Sequence, residues 1–598
     1  MRDKTAAPDP TRLALAATAA VTLLTYAFAL TTGFTADDFF ILSRLKAANG
    51  LQHAASYFGA GFFEYYRPVA FVSHALDWSV WGAEAFGFHL TNVLLHTGSV
   101  VLVWALGRRF LDGAGPVAAA LLFALHPGSH EAVYWIAARF DLLATLFTLL
   151  ALLCLSGRTM GGRIAGWAAF GVALLSKESA ISLLIIAPAW DVWIERRDWR
   201  TTARRLVPLL LVAAGYLAVR SLGTDVAVAG GTRRLGKMLL LALAIGGVLA
   251  AAWWRDRPGN RQDSSTAAGR RTPPGVGFFA FFVIAGLFAG AIGALLWVPA
   301  TSAQVAEKLG FVAYVAFYSL TPIVMPSPNP MWFSPPAAAD AIPGLVALTA
   351  IASALALWRR QIQARPQLLF LLIFVGAALL PVSSMVGGLR YLYLSSAGIA
   401  LLGGSLLQRV TGGARRVAWL ALVAVLVISA SQIVIVGRTW RWAAAMTRDG
   451  VMLMSEAAQP CGTKDVVLLT TPAGIGDVYG NFYYEAFDVL TACSPRNFTT
   501  LLRVVRTDAQ VEVTRPAPDV VELRLPDYTG NVMASDDLRN FDHRIEPGSA
   551  ATISTPAGSL VTFPEGTKQV FRLTMTADVS SAQLFYYSAG RVRPAPRR

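Results

Sequence analysis

The sequence predicts a polytopic α-helical membrane protein with a C-terminal β-rich soluble domain. Only 15% of the 598 residues are charged, whereas a soluble domain carries about 25%. Apolar runs of about 20 residues recur along the chain, and this length is enough to cross roughly 30 Å of hydrocarbon. From residue 439 onward the apolar runs become short and alternate with polar residues, a pattern typical of strands.

The apolar runs predict about 13 membrane spans. The first run, from Leu13 to Thr32, is long for a signal-peptide core and lacks a convincing cleavage site, so we expect a retained span. The predicted spans cover residues 13–33, 89–107, 115–126, 140–156, 163–176, 179–194, 205–221, 236–254, 276–298, 342–358, 367–385, 391–408 and 416–437. This gives a transmembrane domain over residues 1–438 and an extracytoplasmic β-rich domain over residues 439–598.

Basic residues set the expected orientation. With the N-terminus in the cytoplasm, the arginine-rich loops, such as 196–205 and 255–271, all fall on the cytoplasmic side, as the positive-inside rule requires. An odd number of spans then leaves the C-terminal domain in the periplasm or outside the cell. We expect a bacterial inner (plasma) membrane protein. The net charge of +15 is spread over short loops, which argues against nucleic-acid binding.

The C-terminal region predicts a small, sandwich-like β domain. The expected strands are Asp465–Thr471, Val511–Arg515, Val520–Leu525, Ser559–Phe563, Val570–Met575 and Ala582–Tyr587. Cys461 and Cys493 lie in this region and could form a disulfide outside the cytoplasm. Such a bond would contribute about 3–4 kcal/mol in the chain-entropy model, but the spacing alone leaves the pairing open.

Two adjacent carboxylates, Asp37 and Asp38, follow the first span directly. They could form part of a solvated loop that only faces water. Alternatively, one of them could act as a catalytic or ion-binding carboxylate at the membrane surface. The aromatic residues Phe39 and Phe40 beside them make the second interpretation more interesting.

A second polar cluster runs from His126 to Asp141. On a helix, Glu131, Trp135 and Arg139 would share one face at four-residue spacing, and this stripe could bind a sugar or a pyrophosphate-like group. A Glu131–Arg139 electrostatic link that anchors the helix is the alternative. His126 and His130 have a spacing seen in metal sites, but Pro127 breaks the helical geometry.

Further charged residues stand beside other apolar runs. Lys177 and Glu178 separate two spans, where they could form a self-neutralising ion pair or a functional site. Arg390 and Tyr391 open a late span, where the arginine could bind a lipid phosphate or extend to the membrane surface. Arg67 follows two tyrosines and suits either an aromatic belt or sugar stacking.

The predicted topology places all these groups on one side of the membrane. The set comprises Asp37, Asp38, Arg67, Glu131, Arg139, Lys177, Glu178 and Arg390. They come from loops that are distant in sequence. Acids and bases that converge at one membrane face indicate a functional site.

At these residues the chain resembles the GT-C membrane glycosyltransferases, and in particular their protein O-mannosyltransferase-like (TMTC-type) members. The resemblance covers roughly residues 30–400, with little to match in 225–340. It rests on Asp37-Asp38, Tyr66-Arg67-Pro68, His89 to His96, Phe123 to Pro127, Glu131-Ala132-Val133, Arg139, Lys177-Glu178 and Arg390 to Leu394.

The resemblance implies a GT-C fold and transfer of a sugar from a polyprenyl-phosphate carrier to an acceptor on the outer face. It implies that a carboxylate of Asp37-Asp38 is the general base and that Lys177 and Arg390 contact the lipid phosphate. The other candidate binding residues are Arg67, His126, Glu131, Arg139, Glu178 and Tyr391. Two departures concern the acceptor: a β-rich region stands where TMTC-type proteins commonly have tetratricopeptide repeats, and Ser395 replaces the usual proline of the late motif.

The chemistry is reasonable on physical grounds as well. A sugar phosphate leaves readily, so cations that stabilise the phosphate and one base for the acceptor hydroxyl suffice for direct displacement with inversion. No cofactor is required, and a divalent metal could assist but is not indicated. The expected partners are the lipid-linked donor, a glycan or protein acceptor and the bilayer. A transporter or flippase of lipid-linked saccharides and a non-catalytic membrane scaffold are the alternatives.

Overall fold

A computed structural model describes most of the chain. The described residues are 10–59, 66–223, 245–253, 256, 362, 365–381, 388–472, 484–491, 493–504, 510–525, 532–534, 543–545, 551–555, 558–565, 568–575, 582–588 and 591–596. The predicted spans 276–298 and 342–358 and most of the predicted linker 255–275 lie outside these residues.

The first four-fifths of the described chain is helical. The membrane region contains α1 Pro10–Tyr26, α2 Asp37–Ala47, α3 Pro68–Trp81, α4 Ala85–Gly107, α5 Gly115–Ala124, α6 His130–Tyr134, α7 Arg139–Leu155, α8 Met160–Ser176, α9 Leu183–Trp193, α10 Trp199–Gly223, α11 Pro366–Leu379, α12 Tyr393–Leu407 and α13 Gly413–Ala457. Short 3₁₀ turns at Pro127–Ser129, Ile136–Ala138, Glu178–Ser182 and Leu389–Leu392 interrupt the helices.

Five helical stretches among the described residues are long and apolar enough to cross a membrane. They are Leu13–Thr31, Ala85–Gly107, Ile136–Leu155, Trp199–Arg220 and Gly413–Ala457. Three shorter apolar helices, α5, α8 and α11, accompany them. The predicted helical membrane architecture is confirmed, whereas the predicted number of about 13 spans is not.

Helix α4 lies at the centre of the bundle and contacts α1, α3, α5 and α7. Helices α5 and α12 approach each other closely at two glycines, because a Cβ atom at Gly404 would lie 2.5 Å from the Gly115 carbonyl oxygen. Tight packing of small residues is a common way to hold helices together in lipid. The bundle therefore gives a rigid base for the 3₁₀ turns that interrupt it.

The C-terminal region forms two sheets. Its strands are β1 Val466–Pro472, β2 Phe498–Val504, β3 Glu512–Ala517, β4 Val520–Leu525, β5 Val532–Ala534, β6 His543–Ile545, β7 Ala551–Thr555, β8 Gly558–Glu565, β9 Lys568–Met575, β10 Gln583–Ser588 and β11 Arg591–Pro594. One sheet has the order β11-β10-β1-β2-β5-β6, and the other has the order β3-β4-β9-β8-β7. The predicted β-rich region is confirmed, and all six predicted strands are present with their ends shifted by no more than two residues.

The six-stranded sheet differs from an antiparallel sandwich sheet. Its central strand β1 pairs in parallel with both β2 and β10. The short helix α14, Tyr484–Leu490, lies in the connection between β1 and β2, as parallel pairing requires a crossover. The prediction of a sandwich-like domain did not include these parallel strands.

Helix α13 joins the membrane region to the sheets. It runs without interruption for 45 residues, so the predicted domain boundary after residue 438 falls inside it. Cys461, just beyond its end, is bonded to Cys493, which follows α14. Both sheets are thus attached to the bundle by a helix rather than by an extended linker.

Candidate active site

The two adjacent carboxylates have different environments. Asp37 is exposed at the start of α2, whereas Asp38 is only 1% exposed. The Thr35 N–H donates to one oxygen of Asp38 at 2.9 Å, and the Ala137 N–H donates to the other at 2.8 Å. Asp38 therefore links the start of α2 to the turn before α7, and Asp37 remains accessible from outside the bundle.

The residue before this pair has an unusual backbone. Ala36 has φ 47° and ψ −122°, a conformation that costs a non-glycine residue about 1–3 kcal/mol. Ala36 is buried, and the Asp38–Thr35 hydrogen bond closes the turn around it. Strain of this kind persists only where surrounding contacts hold it, so the orientation of Asp37 is set by packing and by Asp38.

Burial also affects the protonation of Asp38. Desolvation raises the pKa of its carboxyl group from an ordinary value near 3.8 to about 8, although the two N–H donors oppose the shift. A group that is mostly protonated at neutral pH is a poor general base, because it already carries the proton that a base must accept. Of the two carboxylates, Asp37 is the one available for that role.

The expected stripe of Glu131, Trp135 and Arg139 requires one regular helix. The chain from His126 to Ala138 does not form one. Trp135 is extended and separates α6 from a 3₁₀ turn. The Asn92 amide donates to the Val133 and Trp135 carbonyl oxygens, both at 3.3 Å. Buried backbone that leaves a helix in a membrane bundle needs such partners, and the asparagine of α4 provides them.

Arg390 is held by an acid and two aromatic rings. Its guanidinium pairs with Glu131, whose second oxygen accepts from the Arg390 backbone N–H at 3.1 Å. The guanidinium carbon lies 4.6 Å from the Trp135 ring centroid and 4.5 Å from that of Tyr391. The carboxylate and the two rings together fix the position of the guanidinium.

Lys177 approaches the same tyrosine. Its Nζ lies 4.6 Å from the Tyr391 ring centroid and donates to both oxygens of Asp141, at 2.6 and 2.7 Å. Burial lowers the pKa of the lysine, and the nearby Asp141 opposes that shift. Both cations, Lys177 and Arg390, therefore lie within 5 Å of the Tyr391 ring centroid.

Arg67 is a third cation near Tyr391 and Lys177. It forms a two-point ion pair with Glu178, at 2.8 and 3.2 Å, and its guanidinium carbon lies 4.9 Å from the Phe140 ring centroid. Burial raises the pKa of Glu178, but the charge of Arg67 and its hydrogen bonds outweigh burial and hold it well below its ordinary value. Lys177 and Glu178 are adjacent, so the two ion pairs are joined through the backbone.

Arg139 is placed differently from the other candidate cations. It is fully buried and surrounded by protein acceptors. Its guanidinium donates to Asn92 Oδ1 at 2.8 Å, to the Phe88 carbonyl oxygen at 2.8 Å and to Ser73, and it pairs with Asp77 at 2.5 Å. These acceptors occupy the planar donor fork, so the arginine is positioned to hold α3, α4 and α7 together.

The two histidines of the second cluster are both buried. The backbone N–H of Gly128 donates to His126 Nδ1 at 3.1 Å, so His126 caps the turn that precedes α6. Burial lowers the pKa of His130 to about 3, which keeps it neutral. Among the described residues, no group of three or more His, Cys, Asp or Glu side chains could hold a metal ion.

No family model matches the chain, but curated proteins do. The chain is 34% identical to human protein O-mannosyl-transferase TMTC2 over 148 residues, which is 23% of the chain and 18% of that protein. It is 36% identical to Drosophila melanogaster Tmtc1 over 132 residues, which is 21% of the chain and 15% of that protein. The chain is similar to TMTC-type protein O-mannosyltransferases. The resemblance predicted from the motifs is confirmed, although it spans less than a fifth of the length of these relatives.

Solved structures give weaker similarities. The Archaeoglobus fulgidus oligosaccharyltransferase has 14% identity and a TM-score of 0.38, with 82% of this chain and 64% of that chain covered. ArnT from Cupriavidus metallidurans bound to undecaprenyl phosphate has 15% identity and a TM-score of 0.31, with 81% of this chain and 85% of that chain covered.

Several residues of the candidate site were not identified as candidates from the sequence. Asp141 pairs with Lys177, Asp77 pairs with Arg139, and Asn92 holds the turn near Trp135. Ionisable residues inside apolar helices are costly unless paired, and that signal was available for Asp77 and Asp141. No comparable signal marked Trp135 as the aromatic partner of Arg390, because that contact joins segments far apart in sequence.

Proposed function

We propose that this protein is an inverting, polyprenyl-phosphate-sugar-dependent membrane glycosyltransferase of the GT-C, mannosyltransferase-like type, acting on the outer face of the membrane. The observation that carries the proposal is Tyr391, whose ring lies within 5 Å of both Lys177 and Arg390. Two positioned cations beside one aromatic ring suit a lipid phosphate. The similarity to TMTC-type proteins supports the same class of reaction.

The reaction needs a base and a stabilised leaving group. Asp37 takes the proton of the acceptor hydroxyl while the hydroxyl oxygen bonds to the anomeric carbon of the sugar. The bond between that carbon and the phosphate oxygen breaks, and polyprenyl phosphate leaves. One displacement inverts the anomeric centre, and no covalent enzyme intermediate forms.

The cations stabilise the leaving phosphate more than they stabilise the bound donor. The donor is a phosphodiester with one negative charge, whereas the leaving monoester gains charge up to about −2 at neutral pH. Lys177 and Arg390 are paired with Asp141 and Glu131 before the donor binds, and these acids keep them in position. Interactions that strengthen as charge develops lower the barrier.

The proposal also covers the acceptor and the orientation of the protein in the membrane. The domain over residues 439–598 is proposed to stand outside the cytoplasm, above a transmembrane domain over residues 1–438, in a bacterial inner membrane. The disulfide between Cys461 and Cys493 supports this side, because such bonds persist in oxidising compartments. The acceptor is a glycan or a protein hydroxyl.

The test compares sugar transfer in membranes that contain the full chain or Asp37→Asn. We expect the variant to lose about 100-fold or more of kcat, as is usual when a general base is removed. Asp449→Asn is the matched control, because Asp449 is an exposed carboxylate on α13 that pairs with Arg448. Full transfer by Asp37→Asn would overturn the assignment, and translocation of a lipid-linked sugar without transfer would favour a flippase.

A further inference from the structure

The C-terminal region contacts the membrane region at the helix that begins with Asp37. Helix α14 packs on α2. Lys46 Nζ donates to the Asp488 carbonyl oxygen at 2.5 Å, and Ser43 Oγ donates to Asp488 Oδ2 at 3.4 Å. Both donors lie in the second half of α2, so this contact holds the end of the helix opposite to Asp37.

Helix α14 is itself fixed to α13. The disulfide joins Cys493 to Cys461 beyond the end of α13, and Ser455 Oγ of α13 donates to the Cys493 carbonyl oxygen at 2.7 Å. The strands on either side of α14, β1 and β2, pair in parallel. The position of α14 is therefore set by the long membrane helix and by the sheet together.

Helix α2 is consequently held at both ends by different parts of the chain. At its first turn Asp38 accepts from the Ala137 N–H, which belongs to the membrane bundle. Near its last turn Lys46 contacts α14 of the C-terminal region. Between these two contacts, three side chains of α2 are buried in the bundle: Phe39, Leu42 and Leu45. We therefore expect loss of the Lys46 contact to shift α2 and Asp37 by a small distance rather than to free the helix.

We propose that the C-terminal region is a positioning element for Asp37, and that Lys46 is the positioning residue that transmits its docking to α2. This rests on the proposed function, because it takes Asp37 to be the base. A small displacement of a catalytic group lowers the rate without weakening substrate binding elsewhere. The docking therefore supports kcat and leaves the donor KM unaffected.

We expect the Lys46 contact to affect the position of α2 more than the stability of the folded protein. Lys46 is exposed, and exposed polar contacts contribute little to the free energy of unfolding. Losing it should let the α14 side of α2 shift slightly while the bundle and the sheets remain folded. A purely structural role would instead lower the unfolding temperature together with activity.

The first experiment measures transfer by the full chain with Lys46→Ala in membranes. We expect kcat to fall about tenfold, with an unchanged donor KM and an unchanged unfolding temperature. Lys46→Arg should retain the rate because its guanidinium can also donate to a carbonyl oxygen. The matched control is Lys464→Ala, because Lys464 Nζ donates to the Ala457 carbonyl oxygen and that contact does not involve α2. A fully active Lys46→Ala variant overturns the positioning role.

The second experiment measures docking without using activity. Ser43→Cys and Asp488→Cys are combined with Cys154→Ser and treated with a short bismaleimide, the native disulfide being left intact. We expect an intramolecular cross-link, and we expect cross-linking to restore the rate of the same chain carrying Lys46→Ala. Absence of the cross-link overturns the docking itself.

The two experiments also separate this inference from the proposed function. If the cross-link forms but the unsubstituted protein transfers no sugar, the proposed function is wrong and the positioning role is wrong with it, while the contact stands. If transfer occurs and Asp37→Asn abolishes it but the cross-link is absent, the proposed function stands and this inference is wrong.

Discussion

The carboxylate of Asp38 accepts a hydrogen bond from the backbone N–H of Ala137 at 2.8 Å, across 99 residues of chain. This bond ties the first turn after the opening span to the turn that precedes α7. It also distinguishes the two adjacent acids, because Asp38 is buried and links two segments of the bundle, whereas Asp37 is exposed and is the proposed base.

Asp38→Asn should destabilise the protein. An amide can accept only through its single oxygen, so one of the two N–H groups that Asp38 satisfies would lose its acceptor. We expect a loss of about 1–3 kcal/mol, seen as a lower thermal unfolding temperature in detergent. Asp37→Asn, the same change at an exposed neighbour, should leave the unfolding temperature unchanged, and equal losses in both variants would contradict the division of roles.

The raised pKa of Asp38 predicts a pH dependence of stability. With a folded-state pKa of about 8, the folded protein keeps a proton that the unfolded chain releases above about pH 4. The proton-linked stability is therefore present at low pH and is lost as pH rises towards 8. Unfolding temperatures between pH 5 and pH 8 should fall more steeply for the unsubstituted protein than for Asp38→Asn, and parallel slopes would refute the assignment.

Tyr391 should affect donor binding through its ring more than through its hydroxyl. Tyr391→Phe keeps both ring–cation contacts and loses only the Arg390 hydrogen bond of 3.0 Å, so we expect at most a threefold rise in donor KM. Tyr391→Ala removes the ring contacts with Lys177 and Arg390, each worth about 1 kcal/mol, and should raise KM about tenfold or more. Equal kinetics for the two variants would mean that the ring is not part of the site.

Arg139 should behave as a structural residue. Arg139→Met leaves Asp77 buried without its ion-pair partner, which costs about 3–5 kcal/mol. Adding Asp77→Leu removes the stranded charge and should recover part of the folded yield. The measurement is the fraction of monodisperse protein in detergent for the two single variants and the double variant. A folded Arg139→Met variant with weaker donor binding would instead support the phosphate-binding role first inferred from the motif.

The strands show which patterns the sequence reveals. Val520–Leu525 alternates in polarity and was predicted with its observed bounds. Phe498–Val504 was not predicted, because its sequence places two threonines and then two leucines side by side and so lacks the alternation of polar and apolar residues. Helix α14 has only seven residues, which is too short for a helical period to appear.

The candidate site was predictable as a set of residue types but not as a set of contacts. The acids and bases on one membrane side were identified from charge and span order. The individual contacts depend on backbone breaks and helix packing. They are those of Asp38 with Ala137, of Arg139 with Asp77 and of Lys177 with Asp141. Such pairings are set by three-dimensional neighbours, and sequence spacing carries no information about them.

The length of α13 has a geometric consequence. At 1.5 Å per residue, its 45 residues measure about 68 Å, more than twice the thickness of the hydrocarbon core. The helix is thus longer than one membrane crossing needs, and its residue count sets both the distance and the rotation of the sheets relative to the bundle. One inserted residue beyond the membrane would turn them by about 100° and swing the Asp488 side of α14 away from Lys46.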